Sequence, residues 1–319
     1  MMFSNIIFLW FLMMSMIMAL SSSSMFFLWI CLEINIMSFI PLMNLKNSMS
    51  MNSIMIYFII QSVSSSLYIF ISSIFYLNMI SINILTVFIM ISMLTKLGSA
   101  PFHFWFPQIS EGMSFNSLSI LLTLQKIIPL YILSIFNNKM MMIPIILSLL
   151  IGSMGGFNQT TVKKILTFSS ISHMSWMMSL LLISNNFWMT YLMIYSLIVF
   201  LLTSILNFFK INSLLTMYKK NNEINLLFII TLLTLGGMPP TIGFIMKWMS
   251  LKIISNQFFI ISIPLIMSSL INLYFYLRLS YNSTMKNSYF YKWEKNYSNK
   301  LMSMIMFQSF MIFMMIPKI

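Results

Sequence analysis

The chain has 319 residues, of which 60% are hydrophobic and 7% are charged, and its mean hydropathy is +0.94. Because a soluble domain carries about 25% charged residues, this composition excludes a soluble globular protein and predicts an integral membrane protein. The formal net charge of +13 does not indicate nucleic-acid binding, because most lysines lie between apolar runs, where the preference of basic residues for one side of a membrane accounts for them.

Residue usage indicates an AT-rich gene, as in many animal mitochondrial genomes. The chain has 37 Met and 30 Phe residues, whereas Asp is absent and Arg278 is its one arginine. Met, Phe, Ile, Asn, Lys and Tyr have AT-rich codons, so mutational bias in a permissive apolar core explains the methionines better than metal binding does. Cys31 is the one cysteine, which excludes a disulfide framework.

Eleven apolar segments follow one another along the chain, each suited to a membrane-spanning helix of about 20 residues. Because no alternation typical of β-strands recurs, we predict an all-α polytopic membrane protein with about eleven transmembrane helices. The first segment has no basic region before it and is predicted to span the membrane, not to be a cleaved signal. The predicted segments are residues 3–20, 25–44, 52–77, 79–107, 114–136, 141–158, 165–184, 187–209, 225–250, 256–280 and 301–317.

The distribution of basic residues predicts the orientation of these helices. The opposite side from the N-terminus holds only Lys139, Lys252 and Lys318, whereas the connections on the N-terminal side hold eleven basic residues. We therefore expect the N-terminus inside, which is the matrix for a mitochondrial protein, and the C-terminus outside. The eleven residues are Lys46, Lys163, Lys164, Lys210, Lys219, Lys220, Arg278, Lys286, Lys292, Lys295 and Lys300.

Two segments are interrupted by residues that weaken or break helices. The fourth contains Gly98 and Pro101, and the ninth contains the run Gly236-Gly237-Met238-Pro239-Pro240. Because the two interruptions stand five segments apart, and five is odd, a five-helix repeat would be inverted in the membrane. Paired interrupted segments of this kind are a sequence signal of a transport site.

Ionisable residues within the segments are the candidate functional residues. Three of the seventeen basic residues, Lys96, Lys126 and Lys247, lie inside predicted spans, and Glu33 is the one carboxylate clearly inside a span. A charged lysine near a bilayer centre costs from about 3 to more than 10 kcal/mol. A buried lysine that gains or loses a glutamate partner can exchange its proton, which is the chemistry of a proton relay. The alternative is a static buried ion pair, which does not explain two lysines beside helix breaks.

Several other polar residues have more than one interpretation. His173, in the seventh segment among four serines, fits a proton relay or a hydrogen-bonded packing histidine equally well. His103 is expected to satisfy backbone groups freed at the first interruption, Glu111 to make an interfacial contact, and Glu223 and Glu294 to be solvated in loops. The sequence has no catalytic triad, phosphate loop, dinucleotide fingerprint or metal-ligand cluster. We therefore expect no cofactor, no metal and no redox chemistry in this chain.

A set of motifs distributed almost end to end carries a family resemblance. They are Leu32-Glu33-Ile34-Asn35, Phe39-Ile40-Pro41-Leu42, Lys96-Leu97-Gly98-Ser99-Ala100-Pro101-Phe102-His103-Phe104-Trp105, Glu111-Gly112, Gln125-Lys126-Ile127-Ile128-Pro129, Gly155-Gly156-Phe157-Asn158-Gln159-Thr160, Lys164-Ile165, Ser169-Ser170-Ile171-Ser172-His173-Met174-Ser175-Trp176, Gly236-Gly237-Met238-Pro239-Pro240, Gly243-Phe244 and Lys247-Trp248. With these motifs the chain resembles the subunit 2 family of mitochondrial NADH:ubiquinone oxidoreductase, respiratory complex I. Subunits 4 and 5 of that enzyme share the antiporter-like plan but are longer, and their motif around the first break differs.

The resemblance implies the layout of the chain. Residues 1–136 would form a first five-helix repeat and residues 141–280 a second, inverted repeat, each with one broken helix. Residues 281–319 would form a polar loop and a trailing C-terminal helix.

The resemblance also implies a role for each intramembrane residue. Glu33 would pair with Lys96 of the first broken helix, and Lys126 would be the central relay. Lys247 would lie on the second broken helix, toward the next antiporter-like subunit. His173 remains a further candidate for the relay.

The family resemblance finally implies a setting. The chain would be a core membrane-arm subunit of an H⁺-translocating NADH:ubiquinone reductase in the mitochondrial inner membrane, moving protons from matrix to intermembrane space. FMN, iron–sulfur clusters and ubiquinone would be bound elsewhere in the complex. The expected partners are the antiporter-like subunit 4, the small subunits 4L, 6 and 3, and phospholipids including cardiolipin.

Two other functions stay open from the sequence. A stand-alone secondary cation/proton antiporter would use the same broken helices and buried lysines. A purely structural membrane scaffold would keep the lysines only for helix packing.

Overall fold

The structure, a computed structural model, describes residues 2–45, 47–77, 81–183, 186–209, 222–239 and 241–287. These ranges are mainly helical, which confirms the predicted all-α membrane class, and within them seven helical stretches, some made of two successive elements, are long and apolar enough to cross a membrane. The predicted eleventh segment, residues 301–317, lies outside the described residues.

Thirteen α-helices make up the described part of the chain. Most predicted segments correspond to one helix each, whereas the fourth, fifth and ninth each contain two. The helices are α1 (Met2–Ser21), α2 (Met25–Met43), α3 (Ser48–Leu77), α4 (Ile82–Leu97), α5 (Trp105–Gly112), α6 (Phe115–Leu122), α7 (Ile127–Ile135), α8 (Met142–Phe157), α9 (Val162–Ile183), α10 (Phe187–Phe209), α11 (Asn222–Gly236), α12 (Ile242–Gln257) and α13 (Phe259–Asn287).

Helix α9 is the centre of the bundle, and 94% of its 18-residue apolar stretch is buried. Its serine hydroxyls donate to backbone carbonyls three residues earlier, as Ser169 does to Leu166 at 2.9 Å, so these polar groups are satisfied without water. Helix α8 crosses α9 at Gly152, where an added Cβ would lie 2.6 Å from the backbone nitrogen of Ser172. Such close approach at small residues is typical of packed membrane helices, and it places His173 in the interior.

The two predicted interruptions are present and have the same backbone geometry. Gly98 follows α4 with φ 63°, and Gly237 follows α11 with φ 80°. At each site the next residue, Ser99 or Met238, donates its N–H to the carbonyl five residues earlier, at 3.3 and 3.1 Å. This is the Schellman arrangement, in which glycine takes the left-handed position at low cost.

The fifth predicted segment contains a third interruption that the sequence prediction missed. Residues 124–126 form a 3₁₀ turn between α6 and α7, after Thr123 with φ −122° and ψ −75°. Pro129 has no N–H for the carbonyl of Gln125, and it lies in the first turn of α7, where proline is tolerated. Lys126 therefore ends a turn instead of lying within a continuous helix.

Candidate functional site

Lys96 and Glu33 are close neighbours on different helices. Lys96 lies in the last turn of α4, with 6% of its surface exposed, and its carbonyl accepts a 3.2 Å hydrogen bond from Gln61 Nε2 on α3. Glu33, on α2, is half-buried and near enough for its charge to act on Lys96. Between these two described residues no nitrogen–oxygen distance is within 4.0 Å. The structure thus brings the pair near without direct contact.

Two aromatic rings lie beside the buried Lys126 side chain. It is 2% exposed, and its Nζ lies 5.2 Å from the ring centroid of Tyr195 and 5.8 Å from that of Phe106. Among the described residues, no hydrogen-bond partner of this Nζ is present. A desolvated ammonium near aromatic faces is stabilised by cation–π attraction.

The residue before Lys126 connects its turn to helix α2. Gln125 Nε2 donates a 2.9 Å hydrogen bond to Asn35 Oδ1, and Gln125 Oε1 accepts one from the Tyr57 hydroxyl at 3.4 Å. Asn35 lies two residues after Glu33 on α2. These hydrogen bonds therefore tie the turn of Lys126 to α2, the helix that carries Glu33.

His173, on α9, is close enough to Lys126 and Lys247 for both to act on it. Its ring interacts electrostatically with both Lys126 and Lys247, its Nδ1 is 2.8 Å from the Tyr191 hydroxyl, and its ring packs 4.8 Å from that of Tyr195. Within the described part of the chain, His173 Nε2 is buried without a hydrogen-bond partner. His173 thus has one nitrogen bound and one free.

Lys247, on α12, is fixed to the end of the preceding helix. Its Nζ donates a 2.7 Å hydrogen bond to the carbonyl of Gly236, the last residue of α11, and 6% of its surface is exposed. The α12 backbone passes so close that a Cβ on Gly243 would lie 1.6 Å from the Thr234 oxygen. The second interruption therefore brings Lys247 beside the free carbonyls of a helix terminus.

The structure brings the predicted residues together in two groups. Glu33 and Lys96 form one group, and Lys126, His173 and Lys247 form the other. Several further buried polar atoms lack a hydrogen-bond partner among the described residues, which is typical of an interior polar path. They include Trp176 Nε1 and Asn272 Oδ1. Ionisable residues inside a membrane bundle often mark ion or proton pathways.

Sequence reasoning missed the aromatic members of this site. Tyr191 and Tyr195 both contact His173 from α10, and their spacing of four residues places them on one helix face. Two tyrosines four residues apart in an otherwise apolar helix were the sequence signal that could have identified this polar face of α10. Phe106 was also missed, because its contact with Lys126 depends on the position of α5.

Charged residues away from this interior site bind helix ends. Lys163 Nζ donates to the carbonyls of Met113 at 2.6 Å and Glu111 at 3.3 Å, at the end of α5. Glu111 lies on α5, not in the predicted connection, and pairs with Lys164 at 2.6 Å. Arg278 donates from α13 to the carbonyl of Phe157 at 2.5 Å, at the end of α8. These cations are placed favourably with respect to the helix dipoles.

Two smaller predictions have different outcomes. His103 Nδ1 lies 3.3 Å from the carbonyl of Pro101, which confirms its expected contact with backbone at the first interruption. The side chains of Glu223 and Glu294 lie outside the described residues. Within the described ranges, no group of three or more His, Cys, Asp or Glu residues is placed to hold a metal ion.

Known proteins resemble this chain in sequence and in fold. The family described as "NADH:quinone oxidoreductase/Mrp antiporter, TM" matches residues 22–272. A protein of Anopheles gambiae named NADH-ubiquinone oxidoreductase chain 2 is 41% identical over 322 residues, which cover 96% of this chain and 94% of the relative. A protein of the same name from Rhipicephalus sanguineus is 41% identical over 290 residues, covering 90% and 92%.

A solved structure shares the fold at low sequence identity. A chain in the structure of respiratory complex I from Thermus thermophilus with bound Aureothin superposes with a TM-score of 0.80 and 20% identity. The superposition covers 88% of this chain and 70% of that chain. This likeness concerns the fold alone.

Proposed function

The chain belongs to the NADH:quinone oxidoreductase/Mrp antiporter family, and from this premise we propose that it translocates protons as the antiporter-like subunit 2 of NADH:ubiquinone oxidoreductase. It is a multi-pass membrane subunit of an enzyme whose redox chemistry takes place in other subunits. The two relatives described above, from Anopheles gambiae and Rhipicephalus sanguineus, carry the name of chain 2 of that enzyme.

The observation that carries the proposal is that His173 and Lys126 share one neighbour, the Tyr195 ring, which lies 4.8 Å from the His173 ring and 5.2 Å from Lys126 Nζ, while Lys247 also acts on His173. Two lysines that both act on one buried histidine make the charge of each depend on the charge of the others, because like charges repel strongly in a low-dielectric interior. A proton arriving at Lys126 therefore favours proton loss further along the path. A proton relay needs such coupling between the charges of neighbouring groups, whereas a structural scaffold has no need of it.

Glu33 and Lys96 supply the input to this path. The charge of Glu33 acts on Lys96, and the Asn35–Gln125 hydrogen bond of 2.9 Å connects α2, the helix of Glu33, to the turn of Lys126. A change in the charge of this pair alters the field at Lys126. Lys247 is the last lysine of the path, and His173 passes protons between Lys126 and Lys247.

The arrangement of the chain and its surroundings is part of the same proposal. The two inverted five-helix repeats would be residues 1–136 and 141–280, and residues 281–319, of which 281–287 continue α13, would supply the polar loop and the trailing eleventh span. The basic residues orient the N-terminus to the matrix and the C-terminus to the intermembrane space of the mitochondrial inner membrane.

The proposed partners follow from the assignment to this enzyme. Subunit 4 lies next to Lys247, and subunits 4L, 6 and 3 and phospholipids such as cardiolipin border the rest. FMN, iron–sulfur clusters and ubiquinone belong to other parts of the complex.

The decisive experiment compares Lys126→Ala with Lys139→Ala in the assembled enzyme reconstituted in liposomes. Lys139 is an ordinary lysine in the short turn before α8, so its removal controls for the loss of a positive charge. We expect Lys126→Ala to lower the rate of proton translocation strongly while leaving assembly intact, and Lys139→Ala to leave the rate unchanged. Full translocation by Lys126→Ala would remove the proposal.

A further inference from the structure

Two aromatic rings from different helices face the ammonium of Lys126. Tyr195 comes from α10 and Phe106 from α5, with ring centroids 5.2 and 5.8 Å from Lys126 Nζ. Both rings are buried, at 1% exposure each. Because this Nζ has no hydrogen-bond partner among the described residues, the ring faces are the stabilising groups that the structure assigns to it. A cation within about 6 Å of a ring centroid is attracted by the ring, and more strongly when desolvated.

Phe106 connects Lys126 to the first helix interruption. A Cβ added to Gly98 would lie 3.1 Å from both Cβ and Cγ of Phe106, so this ring packs directly on the turn that ends α4. Lys96 lies two residues before that turn. Movement of the turn therefore changes the position of the Phe106 ring over Lys126.

Tyr195 connects Lys126 to the histidine on its other side. The Tyr195 ring lies 4.8 Å from the ring of His173, centroid to centroid. The Tyr195 ring thus contacts both the Lys126 ammonium and the His173 ring. Phe106 therefore contacts the turn next to Lys96 and also Lys126. Tyr195 contacts Lys126 and His173.

We propose that Phe106 and Tyr195 form an aromatic clamp that holds the charged form of Lys126 and transmits changes at the Lys96 turn to the lysine and on to His173. The inference rests on the proposed function, and it adds two positioning residues that exchange no proton themselves. When α5 carries Phe106 away from the ammonium, the charged form loses one of its two ring faces, and its proton passes more readily toward His173.

The test separates an aromatic face from simple bulk. Phe106→Leu and Tyr195→Leu remove a ring, whereas Phe106→Tyr and Tyr195→Phe keep it. Phe228→Leu, at a buried position on α11, controls for the loss of a ring elsewhere. Proton translocation coupled to NADH oxidation is measured in the reconstituted enzyme, together with the yield and Tm of the assembled complex.

We expect each of the two clamp leucine variants to lower the translocation rate about 2- to 30-fold, and the ring-retaining variants and Phe228→Leu to stay within about 2-fold of the unchanged enzyme. If a leucine variant does not assemble, Phe106→Met or Tyr195→Met replaces it, since methionine fills the space flexibly without a ring.

The possible failures are distinguishable. Equal losses in ring-removing and ring-retaining variants, or no loss in either while Lys126→Ala is impaired, overturn the clamp and leave the relay standing. Unimpaired translocation by Lys126→Ala overturns the relay itself.

Discussion

Lys247 Nζ donates a hydrogen bond of 2.7 Å to the carbonyl of Gly236, so this lysine caps the C-terminus of α11. The final carbonyls of a helix have no partner within the helix and carry partial negative charge, which favours a cation there. Lys96 and Lys126 differ, because their Nζ atoms have no hydrogen-bond partner among the described residues. Lys247 must break this bond to move, so the turn at Gly236 and Gly237 controls its position.

Gly237→Ala is expected to impair this turn. Gly237 has φ 80°, which costs a residue with a side chain about 1–2 kcal/mol. An added Cβ would also lie 3.0 Å from Lys247 Cδ and 3.2 Å from its Nζ, which displaces the lysine from Gly236. We expect a lower Tm of the assembled enzyme and slower proton translocation, both measured on the reconstituted complex.

Gly236→Ala is the matched control for that variant. Gly236 ends α11 in helical geometry, and a Cβ there would meet its nearest neighbour, a ring carbon of Tyr276, at an ordinary 3.5 Å. Its carbonyl remains available to Lys247. Equal losses of translocation in the two alanine variants would contradict a specific role for the left-handed glycine.

Tyr191→Phe is expected to disturb His173 without removing it. The variant deletes the hydroxyl that lies 2.8 Å from His173 Nδ1, which leaves a buried polar nitrogen without its partner at a cost of about 1–3 kcal/mol. Both rings are almost fully buried, so water does not readily replace the hydroxyl. We expect a lower Tm and a reduced translocation rate.

Tyr274→Phe provides the comparison for Tyr191→Phe. Tyr274 is 51% exposed and stacks on Phe157 at 5.1 Å through its ring, which the substitution keeps. It should change neither Tm nor translocation. If Tyr191→Phe behaves in the same way, the hydroxyl does not position His173.

The interior placement of the candidate residues was predictable from the sequence. Lys96, Lys126 and Lys247 occur within long apolar runs, and a charged residue in such a run must face the protein interior. Their exposures of 2–6% agree with this expectation. The glycine–proline interruptions were predictable for a similar reason, because the local backbone preferences of these residues do not depend on distant contacts.

The immediate neighbours of those residues were not predictable. The contacts of Tyr195 and Phe106 with Lys126 depend on which faces of α10 and α5 meet the 3₁₀ turn, and three helices must pack before this geometry exists. The separation of Glu33 from Lys96 is likewise a property of packing. Residue type indicates that two charges attract, but not whether their helices allow them to touch.

Lys163→Ala and Lys164→Ala, although adjacent, are expected to affect stability differently. Lys163 donates to the carbonyl of Met113 at 2.6 Å and caps α5, an interaction worth about 0.3–2 kcal/mol. Lys164 pairs with Glu111 through side chains that are 28% and 34% exposed, and such pairs contribute about 0–1 kcal/mol. Thermal unfolding of the assembled enzyme should show the larger loss for Lys163→Ala. A larger loss for Lys164→Ala would contradict the capping role, and neither variant should slow translocation.

Glu33→Gln and Glu33→Asp test whether the input to the relay is charge or contact. Glu33 acts on Lys96 through its charge but lies beyond 4.0 Å from it. Shortening the side chain keeps that charge, so Glu33→Asp should translocate protons at close to the unchanged rate. Glu33→Gln keeps the size and removes the charge, so we expect a strong loss of translocation with little change in Tm. Measured side by side in liposomes, equal behaviour of the two variants would show that the field of Glu33 does not drive Lys96.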